Sequence, residues 1–307
     1  LKDRATPNPV WAPNSEEQQK LQNTSKTEET IMKMFKISRR KIGAAMGALA
    51  MFGLLGTSPA MATTLDNVKA RGKIVIGIQG DNPPFGFLDS TGKNDGYDAD
   101  LSKLFAKHLG VDLEMVVVTN QNRIAALQTG KVDALFATLG ISAERAKSLQ
   151  YSIPYAEDSM PIIAPIGSEI ASFEDLNKLT VGVPKGSTQE NTLPNVASGA
   201  NMLSFDDDSA TIQALLSGQV DAIGTTQFAI GRIEETSPGK FEEKIVLATN
   251  YKGVGTILGD KEINATVNAF LEGLKTDGTI EELYQKWFKL GQPKFEAPVE
   301  GVSFTVE

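Results

Sequence analysis

The chain states one short pattern twice, and that duplication constrains its fold more than any other feature. Ala126-Leu127-Gln128-Thr129-Gly130-Lys131-Val132-Asp133-Ala134-Leu135 returns 88 residues later as Ala214-Leu215-Leu216-Ser217-Gly218-Gln219-Val220-Asp221-Ala222-Ile223. Lys73-Ile74-Val75-Ile76-Gly77-Ile78 returns 105 residues later as Lys178-Leu179-Thr180-Val181-Gly182-Val183. Gly130 and Gly218 fall where a helix should stop, at the position that favours a left-handed residue. The apolar runs after them read as short buried strands. Filling the gaps gives strand 73–79, helix 98–109, strand 113–118, helix 121–129 and strand 132–137. The second copy gives strand 179–183, helix 188–196, strand 201–205, helix 209–217 and strand 220–224. This is βαβαβ twice, an α/β fold with parallel sheet covered on both faces. Two equivalent units make two lobes more naturally than a single sheet. Residues 261–289 are again helical in pattern, and Gly278 divides them into two helices.

Composition removes much of enzymology. Among 307 residues there is no Cys and a single His. Disulfides, thiol nucleophiles and Cys/His zinc sites are excluded, and no cofactor or metal is expected. The net charge of −8 makes the chain a poor partner for nucleic acid or an anionic membrane. His108 lies beside the apolar stripe of helix 98–109 and reads as structural. Asp206-Asp207-Asp208 directly precedes a helix and lacks the spacing of a calcium loop, so it reads as helix-start acids.

The N-terminal region reads as an address. Lys33, Lys36, Arg39, Arg40 and Lys41 precede the uncharged apolar stretch 42–55, which is followed by Ala60-Met61-Ala62. That is a signal peptide over 32–62, cleaved after Ala62, and too short for a membrane span. Residues 1–31 are polar and aperiodic, and they read as a mis-called extension ahead of a true start at Met32. The general and twin-arginine export routes both remain open.

In open α/β sheets ligands bind outside the carboxyl ends of strands. After strand 73–79 comes the proline-stiffened turn Gln79-Gly80-Asp81-Asn82-Pro83-Pro84-Phe85. After strand 132–137 comes Thr138-Leu139-Gly140-Ile141-Ser142-Ala143-Glu144-Arg145. Ser142 is a good N-cap, which places Arg145 in a first helical turn, against the helix dipole. Arg145 is then either a tolerated surface residue or a forked donor pointed at an anion. In the second unit Ser187 and Glu190 fit a capping box, and the same helix mouth could seat a carboxylate. Neither reading excludes the other.

Taken in order, the Pro-Phe after the first strand, Gly96-Tyr97-Asp98-Ala99-Asp100-Leu101, Gly140-Ile141-Ser142-Ala143-Glu144-Arg145, Gly186-Ser187-Thr188-Gln189 and Asp277-Gly278-Thr279-Ile280…Tyr284-Gln285-Lys286-Trp287-Phe288 resemble the extracellular solute-binding proteins of family 3, the receptors of polar amino acid ABC importers. The resemblance covers nearly all of 63–290. It implies a type II periplasmic binding protein, each lobe a βαβαβ-based sheet flanked by helices. Lobe 1 would comprise 63–158 and 252–307, lobe 2 would comprise 159–251, and crossovers near 156–161 and 250–254 would join them. It implies a monomer that closes on a small carboxylate-bearing solute, most readily a polar amino acid, and is recognised by an inner-membrane permease.

Carried over by position, Arg145 would hold the ligand carboxylate, aided by Ser187 and Thr188. The Thr138 carbonyl and the backbone at Gly140 would receive the amino group, and Tyr97 would wall the pocket. The family commonly has an aromatic at Asn82, a hydroxyl residue at Gly140, a carboxylate at Thr226 and an Asp at Gln79. These departures fall at ligand-binding positions, and losing the carboxylate weakens the case for an amino acid, because an unpaired buried ammonium is costly. Two other readings follow: a receptor for an organic acid without an amino group, or an enzyme resembling cyclohexadienyl dehydratases, with Asp81 or Glu190 as its acid.

Overall fold

The computed structural model describes residues 63–295 and 299–306. The expected extension 1–31, the leader 32–62 and its cleavage site lie outside the described residues. Helix α1 (Thr64–Arg71) leads into strand β1 (Lys73–Gln79), and a small antiparallel sheet follows from β2 (Asp81–Asn82), β3 (Gly86–Leu88) and β4 (Asn94–Asp95). Then come α2 (Tyr97–Leu109), β5 (Asp112–Val118), α3 (Arg123–Gln128) and β6 (Ala134–Leu135). The second copy runs β8 (Thr180–Pro184), α4 (Thr188–Val196), β9 (Asn201–Phe205), α5 (Asp208–Leu216) and β10 (Ala222–Gly224), with α6 (Ala229–Thr236) after it. Between and after the copies lie two strands of 16 residues each, β7 (Gln150–Pro165) and β11 (Phe241–Thr256). Helices α7 (Lys261–Thr276) and α8 (Thr279–Trp287) follow, separated at Gly278.

Each copy builds a parallel triplet with its first strand in the middle, β5-β1-β6 and β10-β8-β9. The triplets are hydrogen-bonded into one eight-stranded sheet, in the order β5-β1-β6-β11-β7-β10-β8-β9. The link runs through β7 and β11, which contain the crossovers expected near 156–161 and 250–254. These two long strands pair antiparallel with each other, while β11 also pairs with β6 and β7 with β10. Their shared ladder carries four register shifts, so it is irregular where the two halves meet.

The duplicated residues have one structural purpose in both copies. The Asp133 carboxylate accepts the Val75 N–H at 2.7 Å, and its equivalent Asp221 accepts the Thr180 N–H at 2.7 Å. Each Asp also donates its own N–H to the same partner's carbonyl. The aspartate thus ties the start of the third strand to the first, where a short strand cannot supply every ladder bond. Gly130 (φ +70°) and Gly218 (φ +73°) are left-handed as expected.

The apolar residues sort by half. Ile74, Ile76, Phe105, Phe136, Val267, Phe270 and Leu271 pack in one core with α7 and α8. Val181, Val183, Leu193, Ala222 and Leu247 pack in another. His108 lies against Phe105 and Phe270, consistent with a structural role.

Asp133 is buried and also paired with Arg71, whereas Asp221 is exposed. Asp133→Ala should therefore destabilise by about 1–3 kcal/mol, and Asp221→Ala by less, in urea unfolding followed by circular dichroism. Equal costs would show that burial of the tie is irrelevant.

Candidate functional site

The carboxyl ends of β1, β6, β8 and β10 converge, together with the middle of β7 and β11, on a small polar cavity. Gln79, Asn82, Asn120, Arg123, Thr138, Asp158, Met160, Ser187, Thr188, Gln189, Asp208, Thr226 and Lys252 line it. Six of the nine residues expected at the site are therefore together here: Gln79, Asn82, Thr138, Ser187, Thr188 and Thr226. The cavity volume is about 20 Å³, room for about one water molecule. A solute of amino-acid size does not fit in that space as it stands.

Arg145 stands at its edge and holds the walls together. It opens a 3₁₀ turn whose start is fixed by Ser142, the hydroxyl of which accepts the Arg145 N–H at 3.3 Å. The guanidinium is buried and donates through Nη1 to the Gly140 carbonyl (3.0 Å) and Thr188 Oγ1 (3.2 Å), and through Nη2 to the Gly186 carbonyl (3.0 Å). Two of those acceptors belong to the mouth of α4, on the opposite wall. Arg145 is therefore not an exposed surface residue: it is buried and bonded to the mouth of α4.

Gly140 makes this approach possible. A Cβ placed there would meet Asn250 Nδ2 and Thr188 Oγ1, both at 2.7 Å. The missing hydroxyl at this position is thus a spatial requirement of the closed walls. Gly186 plays the reciprocal part, for a Cβ there would meet the Asn120 carbonyl at 2.7 Å. The Gly140 carbonyl already accepts from Arg145 and from the Tyr151 hydroxyl (2.7 Å), so both lone pairs are used. A ligand amino group could bind that carbonyl only by displacing one of them, which corrects the role expected for the backbone there.

The capping box at α4 forms only in part. Ser187 Oγ accepts the Glu190 N–H at 3.1 Å, but Glu190 reaches past Ser187 to accept the Gly186 N–H at 2.7 Å and also accepts from Ser204. Asp207 caps α5 by accepting the Ala210 N–H at 2.7 Å, as expected of a helix-start acid.

Tyr97 is displaced from its expected place. It is fully buried, donates its hydroxyl to the Tyr155 carbonyl at 2.8 Å and packs among Phe85, Tyr155, Tyr284 and Phe288. It does not line the cavity, because the first turn of α2 aims it into the core. Its neighbour Asp98 is the residue that shapes the site. Asp98 Oδ2 accepts both the N–H and the hydroxyl of Thr138 at 3.0 Å, while Oδ1 accepts from the Tyr155 hydroxyl at 2.8 Å. This clamps Thr138 in a left-handed conformation (φ +50°).

Four charged lining residues were given no binding role in the sequence. Arg123 is buried and donates to the Ala137 carbonyl at 2.6 Å, and burial, with help from nearby Arg145, lowers its pKa to about 9. Lys252 and Asp158 face each other from β11 and β7 at 3.5 Å. Burial lowers the lysine pKa and raises that of Asp158 to about 6. Asp208 rises to about 7 through burial and then through its neighbour Asp81. A charged residue interrupting a long apolar strand, as Asp158 does, was the available signal.

The model of the bacterial extracellular solute-binding proteins, family 3, matches residues 74–290. The chain belongs to that family. It is 28% identical to the L-cystine-binding protein TcyJ of Escherichia coli over 84% of this chain and 98% of the relative. It is 35% identical to the ABC transporter glutamine-binding protein GlnH of Bacillus subtilis, over 74% and 85%. Among solved structures, an ancestral amino acid-binding protein described as a precursor of cyclohexadienyl dehydratase is 35% identical, with a TM-score of 0.67 over 74% of this chain and all of that one. The type II binding-protein fold implied by the resemblance is the fold found, and these relatives are named as binding proteins rather than enzymes.

Two outcomes follow from this geometry. Gly140→Ala should push Thr188 and Asn250 away and cost about 1–3 kcal/mol of closure, lowering solute affinity roughly tenfold by calorimetry. Asp208, Asp158 and Asp98 all hold their protons more tightly when folded (about 7, 6 and 6) than their ordinary value of 3.8. The native state then binds more protons than the unfolded chain between about pH 4 and 7, and their contribution to stability falls as pH rises through that window. Asp208→Asn should flatten the fall in melting temperature between pH 5 and 8; an unchanged slope would refute the assignment.

Proposed function

We propose that this chain captures a polar amino acid in the periplasm for an ABC importer. Residues 63–158 with 252–307 and residues 159–251 act as the two lobes that close on it, with β7 and β11 as the crossovers. The observation that carries the reading is the bridging guanidinium of Arg145. Its partners on the second lobe, the Gly186 carbonyl and the Thr188 hydroxyl, lie at the helix mouth where a ligand carboxylate would sit. A carboxylate entering the open cleft takes over those donors and is met by the N–H groups at the start of α4, so one anionic head group touches both lobes. Binding energy realised on both walls at once shifts the population toward closure. The names of the relatives, which include cystine-, glutamine- and arginine-binding proteins, support an amino acid as the solute. The closed form is then what an inner-membrane permease would recognise, with the mature protein exported by the leader 32–62 and working as a monomer.

The dehydratase alternative gains nothing from the site. Asp81 accepts the Asp208 N–H at 2.9 Å, and Glu190 is held by Gly186 and Ser204, so neither candidate acid is free over the cavity.

Thermal shift and calorimetry against the twenty amino acids, L-cystine and small organic acids should give one family of ligands that raises the melting temperature. Arg145→Ala should weaken that ligand by at least about 100-fold, the loss of a bidentate charged contact. Retained affinity in that variant would remove Arg145 from the binding role.

A further inference from the structure

We propose that Asp158, on crossover strand β7, is the counter-ion for the ligand's α-ammonium group. The inference rests on the amino-acid reading above and names the half of the site that reading leaves open. Asp158 lines the cavity and is 2% exposed. Its Oδ1 is buried without a hydrogen-bond partner, one of three such side-chain atoms among the described residues. Its carboxylate is met by Lys252 Nζ at 3.5 Å, which gives its better bond, 2.8 Å, to Asn250 Oδ1, and by the Gln227 backbone N–H, so Oδ1 alone is unfilled. A buried acceptor left unfilled destabilises the fold, and more so when it is charged. An ammonium supplies both the missing N–H donor and the missing positive charge.

The other acids near the cavity are already committed. Asp98 gives its oxygens to Thr138 and Tyr155. Asp208 accepts from the Thr225 hydroxyl at 3.3 Å and from Asn120 Nδ2 at 3.4 Å. Asp81 and Glu190 are tied to backbone N–H groups. Thr226 carries no charge, and its hydroxyl accepts the Phe228 N–H at 3.1 Å. The free anionic acceptor is on the crossover, on the wall shared by both halves of the sheet. Lys252 has a defined part in this arrangement: it keeps Asp158 ionised while the cleft is open, and it shares that carboxylate once the ligand ammonium takes Oδ1.

The test uses the tightest ligand among the twenty amino acids and L-cystine, together with the des-amino carboxylic acid of the same carbon chain. Both are titrated by calorimetry into the wild type, Asp158→Asn, and the double variant Asp158→Asn/Lys252→Gln, which removes both buried charges and keeps the fold from carrying a stranded lysine. The wild type should prefer the amino acid by 100-fold or more. Both variants should lose that preference to within about fivefold, with affinity for the des-amino acid changed less than threefold. Preference retained in either variant overturns the assignment of Asp158 and leaves the amino-acid reading standing. A wild type that binds the des-amino acid as well as the amino acid, or binds no amino acid, overturns both.

Discussion

The guanidinium of Arg145 is the contact on which the rest of the site depends. Three hydrogen bonds run from it, one to the loop that follows β6 and two to the mouth of α4. Gly140, Gly186 and Asp98 can be read against that bridge. Gly140 lacks a side chain because Thr188 and Asn250 occupy the space one would fill. Gly186 lies within van der Waals reach of the Asn120–Gln121 backbone. Asp98 holds Thr138 so that the loop carrying Gly140 leaves β6 in the required direction. A forked donor is suited to the task because its planar geometry can exchange two protein oxygens for the two oxygens of a carboxylate without changing its own conformation.

Much of the architecture was legible because it rests on local rules repeated twice. The glycine stops, the short apolar strands and the helix caps each act over a few residues, and duplication doubled the signal. Expected and observed bounds agree for β1, α4 and β9. What sequence reasoning placed only in part was non-local: the crossovers near 156–161 and 250–254 are the middles of two paired strands of 16 residues each, β7 and β11. The small sheet of β2, β3 and β4 was also unforeseen, since two- and three-residue strands leave no periodic trace.

At the site the same division holds. The helix-start positions of Arg145 and Ser187 were legible because such positions have a sequence signature, in Ser142 and Ser187 themselves. Tyr97 and Asp98 were read one residue out of phase: the aromatic looked like the pocket wall, whereas the helix turns it into the core and leaves the acid beneath Thr138. Lys252 and Asp158 sit on strands taken to be connectors. Their convergence depends on the antiparallel register that sets Asn250 against Asp158 and Lys252 against Ala156, and that register is a property of the folded sheet alone.

The way the chain is threaded sets an order of assembly. Strand β6 takes its outer neighbour from β11, with Leu135 opposite Gly255, and the core behind β1 is sealed by helices beyond residue 260. The first βαβαβ unit to leave the ribosome therefore cannot complete itself. It must wait, with its apolar face uncovered, until the last quarter of the polypeptide arrives, while the unit made second needs only its own contiguous segment and the two long strands that bracket it.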